Sequence, residues 1–508
     1  MTIRSLLLGS AAGLIAVGGA HAADLPIKAK AVEYVKVCSL YGAGFYYIAG
    51  TDTCVKLGGY LRVDVLANTN AHAGNTSGAG GAQNRFTNAY TWRTREDLTI
   101  DTRTATEYGV VRTFFDSVFT WTTGTYAGGA GGSSVYESIG GAAAPNNASQ
   151  GGVAYGTVST YFAFIQFAGF TMGKAVSQFS APWMAYPGNN FDGLVGGSNT
   201  STGVNQFTYT ADFGQGITAA ISAEDQVAYF QAGLNNLSAG GLFGASNYAG
   251  TVSPDVIGML RVDQAWGLFQ ASVALHDNHA AYYGGTEDTG HPNDKWGWAA
   301  QLALSIKNIP TGPGDTINIS GVATNGASRY NIQELGSAAG SNTIYGSTSF
   351  PGAYQSIGYG MAPDSVFAVG TQQQLISSWG FRGAYIHNWD PHWNTSIFGA
   401  YAAVSYNSTA KTLICNTPHI GFHGAAVTAN NLTSCNPDYN IGQLGIMTRW
   451  TPVKNLTFSG EVIYTMLDQK MAGTLNMGAN AGIGKPQAMY ELKDQNTLML
   501  LLRAQRNW

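Results

Sequence analysis

The chain has 508 residues, of which only 11% are charged, against roughly 25% in soluble domains; glycine supplies 67 residues and aromatics 12%. A formal net charge of −4 argues against a nucleic-acid partner. Past the first two dozen positions no run of 18 apolar residues occurs, and mean hydropathy lies near zero. That combination fits alternating strands with lipid on one side and water on the other. A glycine-rich β-solenoid would need a fixed repeat, and none is found.

At the N-terminus, Arg4, the apolar stretch Leu6–Gly18 and the small-x-small triplet Ala20-His21-Ala22 read as an export signal over residues 1–22. Residues 23–56 form a lead-in, too short for a plug domain. From there alternation takes over. In Leu57–Ala67, Leu61, Val63 and Val65 share one face and Arg62 and Asp64 the other. In Ala89–Thr102, Trp92, Leu98 and Ile100 oppose Arg93, Arg95, Asp97 and Asp101, with Glu96 misplaced on the apolar side. In Glu107–Trp121, Val111, Phe115, Phe119 and Trp121 oppose Arg112, Asp116 and Thr120. Further strands are expected near 156–167, 170–178, 205–213, 217–225, 255–264, 267–277, 294–307, 315–324, 375–389, 392–406, 438–451, 455–469 and 494–508. Short turns alternate with long Gly/Ser/Asn-rich loops along this series.

An even count of sixteen strands with two loop classes in alternation specifies an all-β, antiparallel transmembrane barrel over residues 57–508 in an outer membrane, hence a Gram-negative envelope. Sixteen strands leave an aqueous lumen. The last strand ends apolar on one face (Leu498, Leu500, Leu502, Ala504) and closes on Trp508, an aromatic assembly signal. Met499 and Leu501 blur its supposed lumen face.

Four cysteines stand at Cys38, Cys54, Cys415 and Cys435. In an oxidising compartment local pairs, Cys38–Cys54 and Cys415–Cys435, are the economical solution, although three connectivities exist. Their spacing does not suit zinc.

The stretch ADLPIKAKAVEYVKVCSLYGAGFYYIAGTDTCVKLGGYLRVDV (23–65), together with VDQAWGLFQ (262–270) and HPNDKWGWA (291–299), resembles the alphaproteobacterial general porins. The resemblance covers essentially the whole mature chain. It implies a homotrimer in outer-membrane lipid, inserted by the barrel assembly machinery, that passes small hydrophilic solutes and ions without a cofactor or metal. It also implies a constriction loop folded into each pore. Such porins usually end in Phe; Trp508 keeps the aromatic character.

Residues 180–204, after the fifth strand, have the right position for that loop and carry Pro187-Gly188 and Phe191-Asp192-Gly193. Parity places Arg62, Arg93, Arg95, Arg112, Arg449 and Arg503 on the lumen side, a basic wall that Asp64, Asp97 and Asp116 partly offset. The loop supplies only Asp192, so a weak anion preference is expected. A sugar-selective channel is the alternative, since Tyr46, Tyr47, Tyr60 and Tyr90 could line a pore; most aromatics, though, belong to lipid-facing girdles. An outer-membrane enzyme would need a nucleophile and base or paired carboxylates. No GxSxG, HExxH or P-loop occurs, and the histidines read as loop or interfacial residues.

Overall fold

The computed structural model describes residues 36–68, 90–122, 152–153, 156–183, 194–198, 200, 202–227, 229–238, 248–332, 344–345, 355–416, 427–479 and 485–508. The export signal and residues 23–35 of the lead-in fall outside these. Sixteen strands close an antiparallel barrel. They are β1 Thr53–Asn68, β2 Tyr90–Thr106, β3 Gly109–Thr122, β4 Gly156–Phe167, β5 Phe170–Ala175, β6 Val204–Asp212, β7 Ile217–Glu224 and β8 Asp255–Gln264. The second half comprises β9 Gly267–Asn278, β10 Lys295–Lys307, β11 Thr316–Asn325, β12 Ser377–Asn388, β13 Trp393–Ser405, β14 Tyr439–Val453, β15 Leu456–Gln469 and β16 Gln495–Asn507. β16 pairs with β1 in the register Arg62↔Gln505 and Asp64↔Arg503, closing the ring. Each expected strand is present.

Three boundaries moved by three residues or more; β1 begins at Thr53 rather than Leu57. β2 continues to Thr106, so the periplasmic turn is Glu107-Tyr108 rather than 104–106. β5 stops at Ala175 instead of 178, because the chain there turns inward and the Gln178 amide donates to Glu224 Oε1 at 3.0 Å. The tightest turn, Ala168-Gly169, has φ of 49° and 85° at its two residues, the left-handed pair that matches hairpin twist.

The outward face is the bilayer surface. Trp393, Trp450 and Phe458 stack in sequence near the short turns, with centroids 5.7 and 5.6 Å apart. Trp379, Phe381 and Tyr401 form a second belt toward the long loops. Aliphatic side chains such as Leu260, Leu302, Ile319, Ile397 and Val462 are exposed on this outer face. Two aromatic girdles around an apolar band are what a barrel in a bilayer requires.

The inner face carries the main buried apolar cluster. Met499 and Leu501 point into the lumen and are each 1% exposed, packed with Leu66, Ile463 and Leu467 of the wall. Loop residues Ile357, Tyr359, Leu475, Tyr490 and Leu492 complete this cluster. They belong to, or border, a five-stranded sheet (Ile344–Tyr345, Gln355–Gly358, Val427–Ser434, Ala472–Met477, Ala488–Leu492) built from the loops. The break in alternation at Met499 and Leu501 is thus the footprint of loops folded onto the inside wall. A helix that alternation did not anticipate, α1 Ser408–Asn416, starts where Asn407 Oδ1 accepts the Ala410 amide at 2.8 Å.

Both local disulfides form, Cys38–Cys54 and Cys415–Cys435, with Cα atoms 6.1 and 5.9 Å apart. The first ties the segment 36–52 to the start of β1, below the barrel wall. The second ties the end of α1 to the strand Val427–Ser434 through the residue that follows it.

Candidate functional site: the inner wall and the loop across it

Period two places every predicted arginine on the inner face. A single ladder row crosses five strands: Arg449 of β14 pairs with Ser459, Ser459 with Arg503, Arg503 with Asp64, and Asp64 with Arg93. The neighbouring position on β1 aligns Arg62 with Arg95 on one side and Gln505 on the other. Arg503 Nε donates to Asp64 Oδ1 at 2.6 Å, and Arg62 Nε to Gln505 Oε1 at 2.8 Å while its guanidinium lies 4.2 Å over the Tyr60 ring. Arg62 interacts electrostatically with Arg503 and Arg95, and Arg449 with Arg503. Five of the six arginines therefore form one positive field.

Arg112 does not join them. It aligns with Arg103, eight positions beyond Arg95 on β2, roughly 26 Å along the strand. There it shares the Asp101 carboxylate with Arg103, beside the Glu107-Tyr108 turn. Parity alone could not see this, because it fixes the face and not the height. Arg103 went unpredicted because the strand was expected to end at Thr102; it continues the odd-numbered series of Arg93 and Arg95. Arg261 of β8, also inward, was missed too, and bonds Gln270 Oε1 at 2.7 Å.

The loop after β5 lies against the inner wall from β7 round to β14. Gln301 of β10 donates to the Phe179 carbonyl at 2.8 Å, and Gln270 of β9 to that of Ser180 at 3.1 Å. Further along, Gln443 of β14 accepts the Val195 amide at 2.9 Å. Arg382 of β12, fully buried, donates to the carbonyls of Leu194 at 3.3 Å and Ser198 at 2.9 Å. Gly196, at φ +84°, approaches the wall so closely that a Cβ would stand 2.5 Å from the Phe381 carbonyl carbon. Asp192, with Pro187-Gly188, falls outside the described residues.

A buried polar knot ties loops to the inner wall at the long-loop end of β7–β9. His276 Nδ1 meets Asp255 Oδ1 at 2.8 Å, and the Tyr330 hydroxyl donates to Asp255 Oδ2 at 2.6 Å. Asp364, from the loop before β12, accepts the amides of Ala232 and Ser328 at 2.6 and 2.7 Å and the Tyr248 hydroxyl at 2.8 Å. Burial pushes the Asp364 carboxyl above its ordinary range, against the pull of His276 and those donors. His276, expected in a loop or at the interface, is instead an inner-wall residue at the centre of this knot. Stacking of Tyr330 on Phe230, with centroids 4.4 Å apart, and an edge contact to Phe179 link three loops around it. No cluster of metal-ligating side chains occurs among the described residues.

Comparison with known proteins agrees with this architecture. The porin subfamily model matches residues 24–501. Porin Omp2b of Brucella suis is 34% identical over 283 residues, 54% of this chain and 66% of that protein, and Omp2b of Brucella melitensis gives the same figures. Among solved structures, the outer membrane channel DcaP of Acinetobacter baumannii superposes with a TM-score of 0.54 over 91% of this chain and 99% of its own, at 14% identity. The last likeness concerns the fold alone. A closed sixteen-stranded barrel with aromatic girdles, matched almost end to end by the family model, places the chain in the porin subfamily of outer-membrane proteins.

Proposed function

We propose that the protein is a water-filled diffusion channel for small hydrophilic solutes and ions, weakly anion-preferring, in which residues 180–204 are the constriction loop. The observation that carries this reading is the continuous arginine row on β14–β2 together with a loop bonded inside the lumen along the wall from β7 to β14. The preference is expected to be weak on magnitude. A net excess of one positive charge about 7 Å from a passing ion in water-like dielectric is worth about 0.6 kcal/mol, an enrichment of roughly threefold. Asp64, Asp97 and Asp116, with the inner-wall Glu461 that interacts with Arg449, bring the five arginines of the row down to that excess. Reversal potentials in a salt gradient test it: R62Q/R95Q should lower the anion preference, and clear cation selectivity of the unaltered protein overturns it. The tyrosines that suggested a sugar ladder are scattered: Tyr60 packs under Arg62, whereas Tyr90 is exposed at the top of β2.

The same proposal includes a homotrimer. Glu96, between Leu61 and Phe119 in the ladder, lies on the outward face, as do Thr94, Thr102 and Thr113 nearby and Lys174 on β5. The outward faces of β8–β16 carry aliphatic and aromatic residues at mid-strand instead. A charged, hydroxyl-rich sector is costly against lipid and suits a second copy. Light scattering giving one chain per detergent particle would refute it. Trp508, exposed, with its amide bonded to the Gly59 carbonyl at 3.1 Å, is proposed as the aromatic end read by the barrel assembly machinery.

A further inference from the structure

A second charged site lies away from the arginine row, at the periplasmic mouth. It is a cavity of about 570 Å³ between the lead-in and β3–β7, lined among others by Tyr41, Arg103, Arg112, Gln166, Thr210 and Asp212. Its basic edge is built rigidly. Arg103 gives Nε and Nη2 to Asp101 at 3.2 and 2.9 Å, and Arg112 gives the same two groups at 3.1 Å each, so one carboxylate clamps two guanidiniums. Each guanidinium is also backed by rings. Arg103 sits 4.9 Å over Phe45 and 5.7 Å over Tyr41, and Arg112 sits 5.0 Å over Phe114 and 5.5 Å over Phe164. Arg112 Nη1 is taken by Gln166 at 2.9 Å, whereas the Nη1 amino group of Arg103 has no acceptor among the described residues. The Tyr41 hydroxyl likewise has none.

Across the cavity, Asp212 uses Oδ1 to accept the Gly214 amide at 2.8 Å and is otherwise exposed. Threonine hydroxyls of β5–β7 lie between the two ends. The cavity is therefore bipolar: two arginines sharing one anion at one end, a carboxylate at the other, and neutral hydroxyls in between. A free carboxylate fits the first end at the edge left open, Arg103 Nη1, because Asp101 already takes the Nε and Nη2 groups of both arginines and holds them in place. An ammonium fits the second.

We propose that the periplasmic mouth is a binding subsite for small zwitterionic solutes of amino-acid or dipeptide size, with the carboxylate held at Arg103 and the ammonium at Asp212. This rests on the reading of the chain as a diffusion channel. The volume accommodates a dipeptide and the polarity excludes plain sugars, which have no charge to place at either end. Because the site lies below the arginine row, a solute should reach it more readily from the periplasmic side.

The test is single-channel recording of the full-length protein in a planar bilayer with alanylalanine as probe. Interruption of the current is expected to be stronger on periplasmic than on external addition. N-acetyl-alanylalanine, which lacks the ammonium, and alanylalanine amide, which lacks the carboxylate, should each bind at least tenfold more weakly. R103Q and D212N should weaken alanylalanine by a similar factor, the loss expected for one charge-assisted bond. Isothermal titration of detergent-purified protein with the same three compounds covers the case in which occupancy does not interrupt current. Equal affinity for the three probes, or unchanged affinity in both variants, overturns the subsite. Absence of any ionic conductance would instead refute the channel reading and leave the titration to judge the cavity.

Discussion

Replacing Arg382 by methionine removes the fully buried guanidinium that bonds the proposed constriction segment at Leu194 and Ser198 while keeping much of its volume. Two hydrogen bonds from a charged donor contribute about 3–6 kcal/mol together. Lumen water can rehydrate the freed carbonyls and methionine is cheaper to bury, so the net weakening should be about 2–4 kcal/mol. That raises the detached fraction of the segment roughly 30- to 700-fold. The remaining anchors, at Gln270, Gln301 and Gln443, hold the two ends, so release should be partial and reversible. Single-channel records should then show brief excursions to higher conductance, and polyethylene glycols excluded by the unaltered pore should begin to enter. If R382M melts at a lower temperature yet keeps the same conductance noise and the same polymer cutoff, Arg382 supports the wall and does not position the loop.

L501D puts a carboxylate among Leu66, Met499 and Ile463; beyond the 2–5 kcal/mol lost on emptying such a site, it leaves an unpaired charge. The folded band in heat-modifiability gels should disappear at a markedly lower temperature, and an unchanged transition would contradict the packing described. C415S/C435S opens a bridge between residues 20 apart in sequence, worth about 3 kcal/mol in the chain-entropy model. Protease nicking between α1 and β14 should accelerate, with the barrel strands still protected. Burial lowers the Lys485 ammonium from 10.5 to about 8, so the folded state binds fewer protons than the unfolded one between those values. Stability should therefore rise from pH 8 toward 10.5, and K485M should be more stable at pH 7 with that rise abolished; a melting temperature independent of pH over this range would refute the burial.

The barrel was legible because each strand must alternate between lipid and water, a constraint that acts residue by residue and survives in the bare sequence. Phe170–Ala175 ended early for a reason alternation cannot encode: at Val176 the chain leaves the sheet to follow an inner-wall carboxylate, Glu224. The interior was less legible. Ile357 and Tyr359, and the nearby Tyr490 and Leu492, join the cluster of Met499 and Leu501, and neither side carries a period that names the other. The only sign was negative, apolar residues where lumen-facing polar ones belonged. At the arginine site, parity found the face of Arg112 but not its neighbour Arg103, and Glu96, on the apolar side already by parity, has a place only in the proposed subunit contact. The strand-length error of four residues on β2 was enough to hide half of the periplasmic pair.

The seam between β1 and β16 joins residues more than 430 apart in sequence, and its closure completes the ring. Ladder hydrogen bonds alone would leave it no stronger than any other junction. Here the Arg503–Asp64 ion pair lies across it, and Leu66 meets Leu501 beneath the folded-in loops. The loops can complete that packing only when both edges are in place, which makes their collapse into the lumen a latch on a finished ring. A barrel built this way has little tendency to unzip from that junction, and its resistance to opening sideways into the bilayer comes from inside the pore.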